Sequence, residues 1–436
     1  MRKLYKAKWI FDARSKVLED YAIVVEDDKI ISVLPQSKVN DSDYKSVKDF
    51  GKSVITPGLV NLFVDLRYTD LETVKSVSLS SWIRRFNKNL RNILWSVKNK
   101  SPYIQKMALI DKEYHSLDKK DKIAVVAEGL KRAILNGTTC VATTFSESEF
   151  FDIINTSPII TYCFFEVVSD DDTKAKKDYE AVKSRYEQQM LKKADNTFIG
   201  ISPLSVTNVT KRFWQVLAKY CRKNNILMFT KYMETPEERR WLVGKTEEFD
   251  LINRILGYSE LQPYEQTLNP VEYLKKMQTL KNKIIIANAN ELTEEEFKQL
   301  SENENVRFMY SPRSSDKCFN KKQAFADVIK YFKGRFGFGT YSEFHNYDFN
   351  LLNEAQYINH NKEMTASEVI KHLTVYPAKI LGLDHLIGTL EAGKEATFNV
   401  YRMNYNEDHN AILSKQNPSY VFNRGKVLVR NNQILF

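Results

Sequence analysis

The stretch Val54-Ile-Thr-Pro-Gly-Leu-Val-Asn61 separates two kinds of sequence. Before it, short apolar segments alternate with tight turns, a pattern that predicts small β-strands, whereas the polar residues of Gln36–Lys48 predict a loop. The strand pattern returns near the end of the chain. We therefore expect both chain ends to build one small β-sandwich domain, with bounds 1–57 and 388–436, attached to a central unit at 58–387.

The central unit alternates short apolar runs with amphipathic helical segments, which is typical of βα units and a parallel sheet. Eight such units fit a closed (β/α)8 TIM-like barrel, with function expected at the carboxyl ends of its strands. A doubly wound open sheet is the alternative, but the chain lacks the Gly-x-Gly-x-x-Gly turn typical of that fold. The predicted strands are Val60–Leu66, Thr138–Thr143, Ile159–Val168, Thr197–Ser202, Ile226–Tyr232, Lys283–Ala289, Val306–Ser311 and Arg335–Thr340. The predicted helices include Lys122–Leu135, Thr210–Lys223, Thr293–Ser301 and Gln323–Lys333.

The composition of the 436-residue chain narrows the class of protein. Its 65 Lys and Arg against 55 Asp and Glu give a net charge of +10, but the two signs are interleaved, which argues against a nucleic-acid partner. No uncharged apolar run approaches the roughly 18 residues of a membrane span. The four cysteines have no paired spacing, which predicts reduced thiols and a cytoplasmic protein.

Several motifs resemble the amidohydrolase superfamily. Val54–Asn61 resembles the entry to its first barrel strand, and His372–Leu383 followed by Gly388–Ala396 resembles its exit from the barrel. The order and spacing of the intervening segments resemble the branch that contains aminofutalosine and adenosine-type deaminases and chlorohydrolases. Those segments are Ile201–Ser205, Glu234–Glu238, Asn290–Thr293 and Tyr310–Ser315.

The resemblance implies a hydrolase that uses one divalent metal to activate water, held by four histidines and one aspartate. This chain departs from that ligand set, since only Asp65 among the matching positions carries a good metal ligand. A histidine that contacts substrate in the family is matched by Leu204. The five matching ligand positions are Phe63, Asp65, Lys231, Asn288 and Tyr341.

Polar residues persist around these positions. Glu166, Glu234 and Arg313 match polar positions of the deaminase branch, in which the residue at Glu234 lies beside the activated water and transfers protons. The resemblance thus implies vestigial catalytic positions at Glu234 and Tyr341. It also implies substrate-contacting positions at Glu166, Glu234, Arg313, Lys231 and Leu204. The alternative is that these side chains form a salt-bridge network that stabilises the loops.

We expect Lys231 to replace the positive charge of the metal and to pair with Asp65, with Tyr341 hydrogen-bonded nearby, because an isolated buried charge is very costly. Of the histidines, only His345 is expected to approach the pocket. A rebuilt zinc or iron site from His345, Asp65 and Glu234 is therefore the one metal-containing alternative.

Two main hypotheses follow, beside a third, a basic surface that binds an acidic partner or RNA, which depends only on the net charge of +10. In the first, the protein has lost metal-dependent hydrolysis, needs no cofactor, and has a binding, scaffolding or regulatory role with a protein partner or a small-molecule ligand, as a homo-oligomer. In the second, it is an atypical hydrolase or deaminase that acts on C–N bonds of a purine-like or other heterocyclic substrate, without metal or with the rebuilt site.

Overall fold

Eight parallel strands form the centre of the molecule. The computed structural model describes residues 2–14, 17–71, 102–319, 324–359 and 364–436. Neighbouring strands follow the chain order, β6 to β13, as expected for consecutive βα units. The eight strands are β6 (Leu59–Asn61), β7 (Thr138–Phe145), β8 (Ile160–Val167), β9 (Thr197–Pro203), β10 (Met228–Tyr232), β11 (Ile284–Asn288), β12 (Val306–Tyr310) and β13 (Phe336–Phe338).

The sheet closes into a barrel between its first and last strands. The Leu62 N–H donates to the Phe338 carbonyl at 2.9 Å, and a parallel bridge joins Val64 to Tyr341. All eight predicted strands, and the barrel rather than the open sheet, are therefore confirmed. The first strand is shorter than predicted: it ends at Asn61, and Leu66, the last residue of the predicted range, begins a 3-10 turn that Asp65 caps.

Helices connect the barrel strands. Three of the predicted helices begin where a side-chain oxygen caps the first turn, at Asp118, Thr210 and Thr293. The described helices are α1 (Pro102–Ser116), α2 (Lys119–Leu135), α3 (Ser148–Asn155), α4 (Ala175–Lys192), α5 (Lys211–Lys223), α6 (Pro236–Leu242), α7 (Glu247–Leu256), α8 (Pro270–Lys276), α9 (Glu294–Ser301), α10 (Pro312–Phe319), α11 (Ala324–Tyr331), α12 (Leu351–Ile358), α13 (Ala366–Leu373) and α14 (Val375–Leu381). Among the described helices, none is long and apolar enough to cross a membrane.

Strands from both chain ends form a second, mixed sheet. Its continuous order is β17-β16-β15-β14-β5-β1-β2-β3, with β4 paired to β1. An aromatic cluster forms its core, with the ring centroid of Tyr5 5.3 Å from that of Phe398 and 5.0 Å from that of Phe422. The strands are β1 (Arg2–Ile10), β2 (Leu18–Glu26), β3 (Lys29–Pro35), β4 (Ser46–Asp49), β5 (Ser53–Pro57), β14 (Phe398–Arg402), β15 (Tyr420–Asn423), β16 (Lys426–Arg430) and β17 (Gln433–Ile434).

The prediction of a continuous loop over Gln36–Lys48 was wrong. Two 3-10 turns, Gln36–Lys38 and Asp41–Asp43, lie in this segment, and β4 begins at Ser46. Strand β4 pairs in parallel with β1, so backbone hydrogen bonding to an existing strand compensates for its polar sequence.

The terminal sheet packs against the amino ends of the barrel strands. The Asn399 side chain donates to the Gly137 carbonyl at 2.7 Å, directly before β7. The Asn423 side chain donates to the Pro158 carbonyl at 2.6 Å, shortly before β8. The opposite end of the barrel, where the strands have their carboxyl ends, carries the candidate site.

Candidate functional site at the carboxyl ends of the strands

Barrel closure brings the predicted site residues to one end of the barrel. Phe63 and Asp65 follow β6, and Tyr341 follows β13. The Tyr341 N–H donates to the Phe63 carbonyl at 3.1 Å, and the Asp65 N–H donates to the Tyr341 carbonyl at 3.1 Å. Lys231 lies in β10 two residues after Phe229, so both side chains face the barrel interior.

Aromatic rings fill the space around Lys231. Its ammonium lies 5.6 Å from the ring centroid of Phe63 and 5.6 Å from that of Tyr341, within the range of cation–π attraction. The Phe63 ring stacks on Phe229 at 4.8 Å and meets the Tyr341 ring edge-on at 4.9 Å. Phe63 and Tyr341 are buried, so the centre of this barrel end is packed with side chains.

A buried ionic triad, which the sequence analysis missed, lies beside this aromatic cluster. The Arg67 guanidinium donates to both carboxylate oxygens of Asp65, at 2.9 and 2.8 Å, and to both oxygens of Glu166, at 2.8 and 3.1 Å. The side chains of Asp65, Arg67 and Glu166 are 1%, 8% and 7% exposed. Such bidentate pairs are the strongest form of charged hydrogen bond in proteins.

The expected pairing of Lys231 with Asp65 was therefore wrong. Asp65 caps the 3-10 turn by accepting from the Arg67 N–H at 3.2 Å, and this turn places the guanidinium on the Asp65 carboxylate. Burial alone would raise the pKa of Asp65, but the charge and hydrogen bonds of Arg67 outweigh it, with smaller contributions from Lys231 and His345. The pKa of Asp65 consequently lies below its ordinary value, and the carboxylate is ionised. Across the described residues, the Lys231 ammonium makes no hydrogen bond or ion pair.

Glu234 is the second acidic group of the site. It follows β10, is 4% exposed, and accepts a hydrogen bond from the Tyr341 hydroxyl. Tyr341 thus hydrogen-bonds to Glu234 rather than to the expected Lys231–Asp65 pair. Burial raises the pKa of Glu234 to about 7, against the opposing effect of Lys231. Glu238 lies behind it and accepts from the N–H groups of Met233 and Glu234 at 2.6 and 3.2 Å.

His345 reaches the site, as expected. Its ring centroid lies 4.7 Å from that of Tyr341, and its Nδ1 lies 2.8 Å from the Ser342 hydroxyl. Burial, followed by the charge of Lys231, keeps the pKa of His345 well below its ordinary value, so the imidazole is neutral. Lys231 and Arg67 thus supply two positive charges against two negative ones from Asp65 and Glu166.

The backbone at this end of the barrel is strained. Met233, Asn288, Ala289 and Tyr341 all have φ between 52° and 53°, the left-handed region that non-glycine residues rarely occupy. Asn288 ends β11, and its Oδ1 accepts from the Ser311 N–H at 2.9 Å, whereas its buried Nδ2 has no partner. Strain of this kind concentrates at functional sites, where the surrounding structure enforces it.

The remaining predicted residues lie at the edge of the cluster. Arg313 lies in the first turn of α10 rather than in a loop, and its guanidinium binds Asp348 at 2.8 and 2.9 Å. Its backbone N–H donates to Glu354 at 3.0 Å. Leu204 follows β9 and is half-buried, with its N–H bonded to the Val167 carbonyl at 3.1 Å. Within the described residues, no hydrogen bond or ion pair links Arg313 or Leu204 to Lys231.

The side chains at the five matched positions do not fit a divalent metal. Phe63 has no donor atom, Lys231 places an ammonium at the centre, and both oxygens of Asp65 bind Arg67. The Asn288 oxygen accepts from the backbone, and the Tyr341 hydroxyl is bonded to Glu234. In the described ranges, no group of three His, Cys, Asp or Glu side chains is placed to hold a metal, so the rebuilt site from His345, Asp65 and Glu234 is not formed.

The structure thus combines a parallel (β/α)8 barrel, a polar cluster at its carboxyl end and a sheet built from both termini. The model of the amidohydrolase family matches residues 54–428, and the chain belongs to this family. No curated protein matches the sequence.

Solved structures of the same fold are available for comparison. The aminofutalosine deaminase of Helicobacter pylori has a TM-score of 0.75 and 16% sequence identity, and the match covers 98% of this chain and 100% of that one. The zinc complex of the atrazine chlorohydrolase TrzN from Arthrobacter aurescens TC1 has a TM-score of 0.73 and 15% identity, over 99% and 96% of the two chains. The resemblance to the deaminase and chlorohydrolase branch is thus confirmed at the level of the fold.

Proposed function

We propose that this member of the amidohydrolase family no longer performs metal-dependent hydrolysis and uses the carboxyl end of its barrel to bind a ligand or a partner. The observation that carries the proposal is the Lys231 ammonium between the rings of Phe63 and Tyr341, at a position that the resemblance matches to a metal ligand of the family.

Electrostatic repulsion supports the proposal. A divalent cation 4 Å from an ammonium would be repelled by about 8 kcal/mol at an effective dielectric constant of about 20. Asp65 offers no free oxygen to hold the metal, because both of its carboxylate oxygens accept hydrogen bonds from Arg67. A metal would therefore have to displace both Lys231 and Arg67 before it could be held.

The groups that remain favour binding of a small polar molecule. Lys231 is a partly exposed donor, and Glu234 with a pKa near 7 presents a carboxyl group that either donates or accepts at neutral pH. Convergent polar groups in an apolar surround are typical of ligand sites. A protein partner, a homo-oligomer and a cytoplasmic location remain further parts of the proposal.

Metal content and hydrolytic activity, measured together, test the proposal. Protein purified without chelators is analysed for zinc, iron, manganese and nickel, beside the chlorohydrolase TrzN, which was solved with zinc, prepared in the same way as a positive control. We expect metal far below one equivalent per chain, with the same content in wild type and in an Asp65→Asn variant. About one equivalent per chain that disappears in Asp65→Asn would refute the proposal.

The second candidate function is an atypical hydrolase or deaminase that acts on C–N bonds without a metal. One observation favours it: Glu234 has a pKa near the working pH of a general acid or base and is hydrogen-bonded to Tyr341. Ammonia release from adenosine, aminated purines and aminated triazines tests this function, with Glu234→Gln as the matched variant. Turnover by the wild type that Glu234→Gln abolishes would favour this second function over the first.

A further inference from the structure

A cavity of about 390 Å³ lies near the junction of the terminal sheet and the barrel, away from the site described above. Helices α13 and α14 contribute Lys371 and Lys379 to its wall, and the segment that leads into β14 contributes Glu391 and Lys394. Arg14, which follows β1, completes its charged lining together with Asp384. No part of the candidate site at the carboxyl ends contributes to this cavity.

Charge is unbalanced inside the cavity. Four cationic side chains face two carboxylates, so the lining carries a net charge of +2. Glu391 is already paired twice, with Lys394 at 2.7 Å and with Arg14 at 3.1 Å. These contacts also keep the pKa of Glu391 below its ordinary value, with the Lys394 hydrogen bond as the largest cause.

The other two cations have no carboxylate of their own. Lys371 and Lys379 make no ion pair with any residue in the part of the chain that the structure describes, although Asp384 lines the same cavity. Two like charges on the wall of one concave surface focus a positive potential into the cavity and attract an anion.

We propose that this cavity binds a phosphate-bearing small molecule through Lys371 and Lys379. A phosphate group carries nearly two negative charges at neutral pH and would balance the lining, and lysine binds phosphate well as a compact point charge. Thr389 lies at the same wall, where its hydroxyl accepts from Lys394 at 2.6 Å and donates to Glu391 at 2.7 Å, so the paired side of the cavity is held in place.

The size and the remaining walls fit a small molecule rather than a protein surface. A volume of about 390 Å³ lies within the range of small-molecule sites, roughly 300–1,000 Å³. Val375 and Tyr376 provide an apolar side between the two lysines. The Tyr376 ring is supported from behind by His372, with ring centroids 4.7 Å apart. The apolar side can contact the organic part of the ligand while the lysines bind its phosphate.

Calorimetric titration of the full-length protein with inorganic pyrophosphate tests the proposal. The variant Lys371→Glu/Lys379→Glu reverses both charges, and Lys176→Glu/Lys177→Glu on the exposed surface of α4 changes the net charge by the same amount. We expect saturable binding to the wild type and to the control pair, weakened at least about tenfold in the cavity variant, since each lost charged hydrogen bond contributes on this scale. Added salt should also weaken binding of pyrophosphate to the wild type, because it screens the charges of the lysines.

Other outcomes of the titration would overturn the proposal. Equal loss of affinity in the two double variants would mean that overall charge, not this cavity, attracts the anion. Succinate binding as tight as pyrophosphate binding would exclude specificity for phosphate. Absence of saturable binding up to about 10 mM, or loss of binding in Lys231→Met at the other end of the barrel, would also count against the cavity.

Discussion

Replacing Arg67 with methionine should destabilise the protein by about 3–5 kcal/mol at pH 7, because the change leaves charged partners buried. Arg67 forms four side-chain hydrogen bonds of 2.8 to 3.1 Å with Asp65 and Glu166. Methionine preserves much of the volume but none of the charge, so two carboxylates with almost no exposed surface would lose their shared cation. The cost is that of uncompensated burial rather than of the hydrogen bonds alone.

The destabilisation caused by Arg67→Met should depend on pH in a defined direction. In the wild type, the lowered pKa of Asp65 gives stability that is present above the ordinary carboxyl pKa and is lost as the pH falls through the lowered value. Without Arg67, burial dominates and raises that pKa, so protonation relieves the penalty in acid. The difference in unfolding free energy between wild type and Arg67→Met should therefore be largest near pH 7 and shrink towards pH 4.

Urea unfolding, followed by the fluorescence of the buried Trp214 and Trp241 in the barrel, measures this difference. Arg222→Met is the matched control, since Arg222 is exposed on α5 and its loss should change stability by no more than about 0.5 kcal/mol. A loss below about 1 kcal/mol for Arg67→Met, or a loss that does not shrink in acid, would refute the account of the triad.

Two further changes have definite expected results. Burial raises the pKa of Glu234 to about 7, so its contribution to stability is lost as the pH rises from the ordinary carboxyl value through 7. Glu234→Gln should remove this contribution and stabilise the protein by on the order of 2 kcal/mol at pH 8, whereas Glu238, whose pKa burial raises to about 8, should keep part of the pH dependence. Unfolding curves at pH 5 and 8 would reveal both effects. A Cβ at Gly58 would lie 2.0 Å from the Thr139 hydroxyl oxygen, so Gly58→Ala should cost about 1–3 kcal/mol. Thermal unfolding of Gly58→Ala/Thr139→Ala should show partial recovery, and strict additivity of the two changes would contradict the steric explanation.

The barrel could be predicted from sequence because its signals are local. Each strand is a short apolar run between amphipathic helices. The threonines that precede α5 and α9 cap those helices, as their positions in the sequence indicate. Strand β4 escaped prediction because Ser46–Asp49 contains a single apolar residue and gains its order from pairing with β1. Its conformation is decided by the neighbouring strand rather than by its own sequence.

The triad could not be predicted in the same way, because it depends on contacts that the closed barrel creates. Arg67 and Glu166 are 99 residues apart, and they meet only when β6 and β8 lie in one barrel and the turn after Asp65 directs the guanidinium inwards. A signal was present in the spacing of Asp65 and Arg67, which a 3-10 turn brings together. The prediction that Lys231 pairs with Asp65 did not take Arg67, the nearer cation, into account.

The balance of positive and negative charges at the site explains how the carboxyl end of the barrel can remain ordered with charged side chains in it. Two cations, of which Lys231 is partly exposed, lie beside two anions, while His345 is neutral and Glu234 titrates near neutral pH. The left-handed residues at the strand ends, such as Met233 and Tyr341, persist around this cluster, so the backbone geometry of an active-site face coexists with a different set of side chains. Backbone strain is costly unless the surroundings enforce it, and here the packed aromatic rings and the ionic triad around these residues supply that enforcement.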